Sequence, residues 1–368
     1  MRAILPALFA SLLVPFFATQ SLRAETPSQV SEKYVIGAIL PLSGDIASFG
    51  EAARNGIELA LSSLPPAERA QIEVVFEDDA FVPKRTVAAY QKLKSVDKVK
   101  AIIAWGSTTS KAIAQVAEEH ETVMISISSD PKVSNDRSFV FSHWVTPDAE
   151  TLALLPELKR RDYRAVARFT TIHDGTNAVK ESFDRLVVTR KSDGALVSLV
   201  SDFEIGEEVR DFRPMLTSLR NKSFQAFLPI MFPTQLAIFA RQARELGFTQ
   251  EFFGYESFED PGVLTNSSNA LLGAWFATTG DPAGWFSNAF RERYPKSAIV
   301  SAGNAHDAVV LLTRAVSSGG TNPAAVAQYL RTVHGFSGAL GTYGATPRNK
   351  FGLPAVLKRV ALDGFPLL

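Results

Sequence analysis

The chain has 368 residues, long enough for two well-filled domains, and its 46% hydrophobic and 21% charged residues exclude a disordered polymer. Lysine plus arginine equals aspartate plus glutamate at 38 each, so no basic field exists to attract nucleic acid. Cysteine is absent, which removes disulfides, thiolate zinc sites and a lipidated N-terminal cysteine.

Arg2 precedes an uncharged run from Ile4 to Ala18, and a polar segment ends in Leu22-Arg23-Ala24. This reads as a secretory signal peptide over residues 1–24, with an uncleaved anchor helix as the alternative. A polar tail, 25–33, follows. Tyr34 to Leu64 then gives a strand, a loop and a helix. Val35 to Leu40 is the apolar run of a strand buried on both faces, Pro41, Ser43, Gly44 and Asp45 break it, and Ser48 with Glu51 spells a capping box. Ala53, Ile57, Ala60, Leu61 and Leu64 form a helical stripe. A parallel α/β unit starts here, with its loop at the strand's carboxyl end, where open sheets bind ligands.

Gln71 to Phe76 is a second strand, running into Glu77-Asp78-Asp79 and Pro83. Thr86 to Leu93 is a helix and Val99 to Trp105 a third strand. Gly106-Ser107-Thr108-Thr109-Ser110 leads into the next helix. Its hydroxyls serve either as an N-cap or as an anion site suited to a carboxylate. Val123 to Ser126 is the fourth strand, followed by Ser128-Ser129-Asp130-Pro131, where Asp130 suits an Asx turn. Thr146-Pro147 starts a helix as N-cap and N1. Strands over Ala165–Ile172, Leu196–Phe203, Phe224–Met231 and Glu251–Tyr255 alternate with helices, one of which ends at Gly247. Asn322-Pro323 opens another helix. The unbroken alternation supports a second parallel sheet.

Several stretches resemble, in order, the periplasmic binding proteins of branched-chain amino-acid uptake, the leucine/isoleucine/valine-binding type. They are Pro41-Leu42-Ser43-Gly44, Phe49-Gly50, Asn55-Gly56 with Ala60, the Gly106–Ser110 hydroxyl run, Ser128-Ser129, Gln242–Gly247, Ala305-His306-Asp307-Ala308 and Phe336–Gly341. The resemblance spans residues 34 to about 360. It implies an α/β fold of two Rossmann-like lobes with parallel sheets joined by a three-crossing hinge, the type I form. Lobe one is then 33–145 plus 280–339, and lobe two 146–279 plus 340–368.

The resemblance also implies site roles. Ser107, Thr108 and Thr109 would hold the ligand's α-carboxylate. Ser128 and Ser129 stand where the family has Ala-Thr, and Ser129 keeps the hydroxyl that touches the ligand. Phe49 falls where an aromatic packs on the ligand side chain, and its other reading is core packing. Asp174 replaces the tyrosine of Y-G-x-G and departs from plain branched-chain recognition. Glu256, in a G-Y-E-S loop, matches the glutamate that accepts hydrogen bonds from the ligand's α-ammonium, its other reading being an exposed acidic loop.

Enzyme motifs are missing: no G-x-G-x-x-G after the first strand, no P-loop, no H-E-x-x-H and no G-x-S-x-G occur, and the five histidines are scattered. The expectation is a non-enzymatic, monomeric solute-binding protein of a Gram-negative periplasm, without cofactor or metal. Its partners would be a small amino acid or a related carboxylate or amide, and an inner-membrane ABC permease. The alternative within the fold is a protein feeding a membrane sensor.

Overall fold

The computed structural model describes residues 33–189 and 196–368, together with Met1 and Ala3. The expected signal peptide therefore lies outside the described residues, and the unit described below is Lys33–Leu368.

The first sheet is built from β1 (Tyr34–Leu40), β2 (Ile72–Asp78), β3 (Ala101–Trp105), β4 (Val123–Ile127) and β5 (Val140–Ser142), all parallel in the order β2-β1-β3-β4-β5. Helices α1 (Ala47–Ser63), α2 (Pro66–Gln71), α3 (Pro83–Ser95) and α4 (Ser107–Glu119) connect them. β1, β3 and β4 are buried almost throughout, as continuous apolar runs require when both faces are covered. The second sheet holds β6 (Ala165–Thr171), β7 (Ser198–Ile205), β8 (Ala226–Ile230), β9 (Glu251–Gly254) and β10 (Trp275–Thr279), parallel in the order β7-β6-β8-β9-β10. Its helices are α5 (Pro147–Arg160), α6 (Asp174–Phe183), α7 (Arg213–Thr217), α8 (Pro233–Glu245) and α9 (Val263–Asn266). The chain then returns through α10 (Gly284–Arg293), α11 (Ala302–Gly319) and α12 (Pro323–Arg331) to the first sheet's side, where α11 packs on α1.

The last segment differs from expectation. After a hairpin of β11 (Phe336–Gly338) and β12 (Gly341–Tyr343), strands β13 (Ala345–Thr346) and β14 (Lys350–Phe351) extend the first sheet beside β5. Only β15 (Ala355–Arg359) joins the second sheet, antiparallel to β10. The final passage between lobes thus falls between Phe351 and Ala355, not near residue 340. β5 leaves an open edge, and Ser142 N–H finds the Asn349 carbonyl there at 2.9 Å.

Helix starts follow local chemistry where the cap is local. Thr146 Oγ1 accepts from Ala149 N–H (3.2 Å), and Asn322 Oδ1 accepts from Ala324 N–H (2.9 Å). The expected Ser48–Glu51 capping box does not form. The 41–46 loop closes early, through a turn from Ala47 N–H to the Gly44 carbonyl, so α1 starts at Ala47 and Ser48 lies inside it. The two motif glycines of α1 serve close approach. A Cβ on Gly50 would stand 2.0 Å from the Pro41 carbonyl oxygen, and one on Gly56 2.1 Å from that of Ala302 in α11.

A buried polar knot binds the end of β5 to α11 and the β11–β12 hairpin within the first lobe. Asp307 accepts from Ala339 N–H (2.7 Å), Leu340 N–H (3.2 Å) and Tyr343 O–H (2.8 Å). Because Tyr343 gives its proton to Asp307, the 2.7 Å bond to His143 runs from His143 Nε2–H to the phenol oxygen. Asn304 Nδ2 donates to the His143 carbonyl at 2.8 Å. Burial pushes the His143 imidazole down to about 4, with Asp307 opposing it, so the ring is neutral at pH 7.

Two predictions follow from this packing. Gly56→Ala should destabilise the protein by about 1–3 kcal/mol, because backbone must move aside. Gly284→Ala, with open space around its Cβ, should instead stabilise it by about 0.4–1 kcal/mol. Opposite shifts of the urea midpoint check the pair. Since the folded His143 pKa lies below the unfolded value, the unfolded chain gains a proton first on acidification. Stability should therefore fall as pH drops from about 6.5 towards 4, by up to about 3 kcal/mol from this residue. A His143→Gln variant with the same acid limb would refute that assignment.

Candidate ligand-binding cleft

The carboxyl ends of β3 and β4 face those of β6, β8 and β9 across one cavity. On the first wall, α4 begins without a side-chain cap. Its N-cap is Gly106 at φ +90°, where a Cβ would also stand 2.5 Å from the Phe81 ring. Hence no hydroxyl of the run caps the helix, and the positive end of α4 opens towards the cleft.

Ser107 and Ser129 line the cavity with hydroxyls 3.5 Å apart. Ser107 Oγ accepts from Asp130 N–H (3.1 Å), which leaves its proton free to donate outward. Ser128 also lines the cavity, and its hydroxyl accepts from Ser126 (2.7 Å). The other two members of the run are spent elsewhere. Thr109 is buried and donates back to the Trp105 carbonyl, while Thr108 turns to Asp174.

Asp174 does not line the cavity. It forms a 2.8 Å ion pair with Lys111 of α4 on the opposite lobe. Burial works to raise its carboxyl, but the hydrogen bonds from Lys111 and Thr108 outweigh it and hold the carboxyl low. Other pairs bridge the lobes at the rim: Lys132 with Glu181 (3.0 Å), Arg210 with Asp45 (3.1 Å), and Ser48 donating to Asp260 (3.2 Å). Each such exposed ion pair contributes about 0–1 kcal/mol. Deeper in, a Cβ on Gly175 would reach 3.1 Å from both Ser107 Oγ and Ser129 Oγ, so the cleft is closed.

Aromatic rings fill the space between the walls. Phe81 stacks on His173 at 5.0 Å and meets Phe232 edge-on at 5.7 Å and Trp105 at 5.6 Å. Phe81 and Ala80 both sit at positive φ, +61° and +47°. The acidic pair at the end of β2 holds them there. Asp78 Oδ1 accepts from Ala80 N–H (2.8 Å) and Leu42 N–H (2.9 Å), and Asp79 accepts from Phe81 N–H (2.9 Å) and the Thr86 hydroxyl (2.8 Å). Trp105 is pinned by its indole N–H to Ser301 Oγ at 2.9 Å. Phe49 lies behind it, 5.4 Å from the Trp105 ring, only 7% exposed and off the cavity lining. Burial takes His173 down to about 4, and its Nδ1 accepts from Gly175 N–H, so Nε2 carries the proton.

Glu256 lines the second wall, in the turn after β9. Its Oε2 is buried without a protein donor, and burial raises its carboxyl. Among the described residues no group of three acidic, histidine or cysteine side chains could hold a metal ion. The sequence reading missed Phe81, Trp105, His173 and Phe232. Their shared signal is position, since each stands in the loop or last residue at the carboxyl end of a strand.

The family described as Periplasmic binding protein matches residues 33–354. The chain belongs to that family. It is 22% identical over 361 residues to the leucine-, isoleucine-, valine-, threonine- and alanine-binding protein of Pseudomonas aeruginosa, covering 89% of this chain and 88% of that one. A leucine-binding protein, LivK, from Thermotoga maritima shares the fold with TM-score 0.80 and 24% identity, over 91% of this chain and 97% of its own. A solute-binding protein of an ABC transporter from Rhodopseudomonas palustris, in complex with 3,4-dihydroxybenzoic acid, shares it with TM-score 0.78 and 19% identity, over 90% and 94%.

Phe49→Ala should act on stability before it acts on binding. Removing a buried phenylalanine costs about 3–5 kcal/mol, and the urea midpoint should fall accordingly. An unchanged midpoint with lost ligand affinity would place the ring in the cleft instead.

Proposed function

We propose that the protein captures a small amino acid, or a related carboxylate or amide, in this cleft and delivers it to an ABC-type permease of the inner membrane. It acts in the periplasm as a monomer, exported under the N-terminal leader, and needs no cofactor. One observation carries the reading: the cleft is polar at two opposed ends and aromatic between them. Ser107 and Ser129, with the open end of α4 behind them, donate to the ligand carboxylate. Glu256 accepts from its ammonium on the other wall. The apolar part of the ligand lies against Trp105, Phe232 and Met231. The Pseudomonas aeruginosa relative, named for five aliphatic and hydroxylated amino acids, agrees with this class.

Asp174 is not assigned a ligand contact, because Lys111 already satisfies it. With Asp174 off the cavity lining, its replacement of the tyrosine no longer argues against a plain branched-chain ligand. The aromatic cluster of Phe81, His173 and Phe232 supports a second reading, an aromatic carboxylate held by the same serines. The Rhodopseudomonas palustris neighbour with its dihydroxybenzoic acid is in keeping with that class.

Native mass spectrometry of the purified protein for carried-over ligand, followed by calorimetry, tests the reading. Ser129→Ala should weaken binding by about 1.5–3 kcal/mol, the worth of one charge-assisted hydrogen bond, at an unchanged melting temperature. A ligand amide that binds as tightly as the free acid would overturn the carboxylate clamp. Because burial raises the Glu256 carboxyl, acidification protonates it before an ordinary glutamate, and affinity for an ammonium ligand should fall there.

A further inference from the structure

The second wall holds a carboxyl group that the contacts above do not use. Glu150, in the first turn of α5, is 0% exposed. The next residue, Thr151, bonds the Tyr255 hydroxyl at 3.1 Å, which brings Glu150 beside Glu256 on the cleft side. Neither carboxylate oxygen of Glu150, nor Oε2 of Glu256, has a protein donor.

The charged and titratable groups around the pair are already engaged. Lys358 from β15 is held by Glu259 and by Asp281 (2.6 Å), and Thr278 of β10 donates to Glu259 (2.7 Å). Arg168 of β6 lies between Asp184 and Asp202, at 2.6 Å from each. The Tyr255 hydroxyl bonds Thr151 at 3.1 Å. Glu259 adds a third negative charge to the neighbourhood.

Two buried carboxylates that face each other without a cation cannot both stay ionised, so one keeps a proton. Burial first, and then the charge of Glu256, push the Glu150 carboxyl well up, and burial raises Glu256 as well. Glu150 is 0% exposed and off the cavity lining, whereas Glu256 lines the cavity, so the more deeply buried Glu150 keeps the proton and points it at Glu256. That bond gives a partner to one oxygen of Glu150 and to Glu256 Oε2, two of the three buried oxygens without one.

We propose that Glu150 is a specificity-determining positioning residue: as a neutral acid it hydrogen-bonds Glu256 and leaves this wall one negative charge, matched to one cationic group on the ligand. The inference deepens the proposed function and rests on it. It narrows the ligand class to zwitterions with a single ammonium. An aromatic or aliphatic acid without an amine would leave the Glu256 charge desolvated and unpaired.

The test uses L-leucine and L-phenylalanine, with their amine-free counterparts 4-methylpentanoate and 3-phenylpropanoate, in calorimetry from pH 5 to 8. The expected result is binding of an amino acid at least about 100-fold tighter than its amine-free counterpart. Glu150→Gln keeps a donor facing Glu256 and should stay within roughly threefold of the parent. Glu150→Leu removes the donor, and affinity at pH 7 should fall at least about tenfold. Its acid limb should also move to higher pH, because Glu256 then takes a proton more readily, a shift that a merely structural role would not produce. Glu150→Leu with parental affinity and pH profile overturns the proposal, as does a folded Glu150→Gln that loses more than about tenfold. The glutamine variant decides alone if the leucine variant does not fold. Amine-free acids binding as tightly as amino acids overturn the charge match while leaving carboxylate capture standing. Binding of none of the four removes the amino-acid reading, and the proposal with it.

Discussion

Parallel pairing is the constraint on which this molecule depends. A strand that runs parallel to its neighbour must deliver its loop at the carboxyl end and return through a helix. β1 to β5 obey this in one lobe and β6 to β10 in the other, and the two sets of carboxyl ends face each other. What can meet a ligand therefore comes mainly from the carboxyl ends of buried strands, the loops after them and the first turns of the helices that follow. The serines, the aromatic rings and Glu256 converge for that reason, although they are scattered between Phe81 and Glu256.

The cleft treats its charges unequally, and the difference sorts their roles. Asp174, Asp45 and Glu181 sit at the rim, each paired with a cation of the opposite lobe. Being exposed, these pairs hold the lobes together weakly, which suits a cleft that must open again. Glu256 and Glu150 lie inside without a cation. A desolvated charge left in that state is costly, and the cost is relieved when a cation arrives. Rim pairs thus join the lobes, and ligand selection is the role the proposal gives the inner carboxyls.

What was legible in the sequence was what is decided locally or by strand ends. Thr146, Asn322 and Gly247 mark helix boundaries because a cap needs only its own turn. Ser107, Ser129 and Glu256 could be placed because each follows a strand and precedes a helix or turn. What was not legible depends on distant partners. Nothing near Asp174 announces Lys111, 63 residues away. Two-residue strands such as β13 and β14 carry no period of their own and form only because β5 offers an edge. Phe49 reads equally as pocket or core, and only the pinned ring of Trp105 in front of it decides.

The loop that carries Phe81 is fixed through its main chain. Asp78 and Asp79 grip the N–H groups of Leu42, Ala80 and Phe81, and no bond in this clamp involves the Phe81 side chain. The scaffold of the cleft and the chemistry it displays are thereby uncoupled. A different side chain at position 81 could alter what is sensed between the lobes while the frame stays as it is. The work of shaping this loop thus falls on the two aspartates, not on the ring it presents.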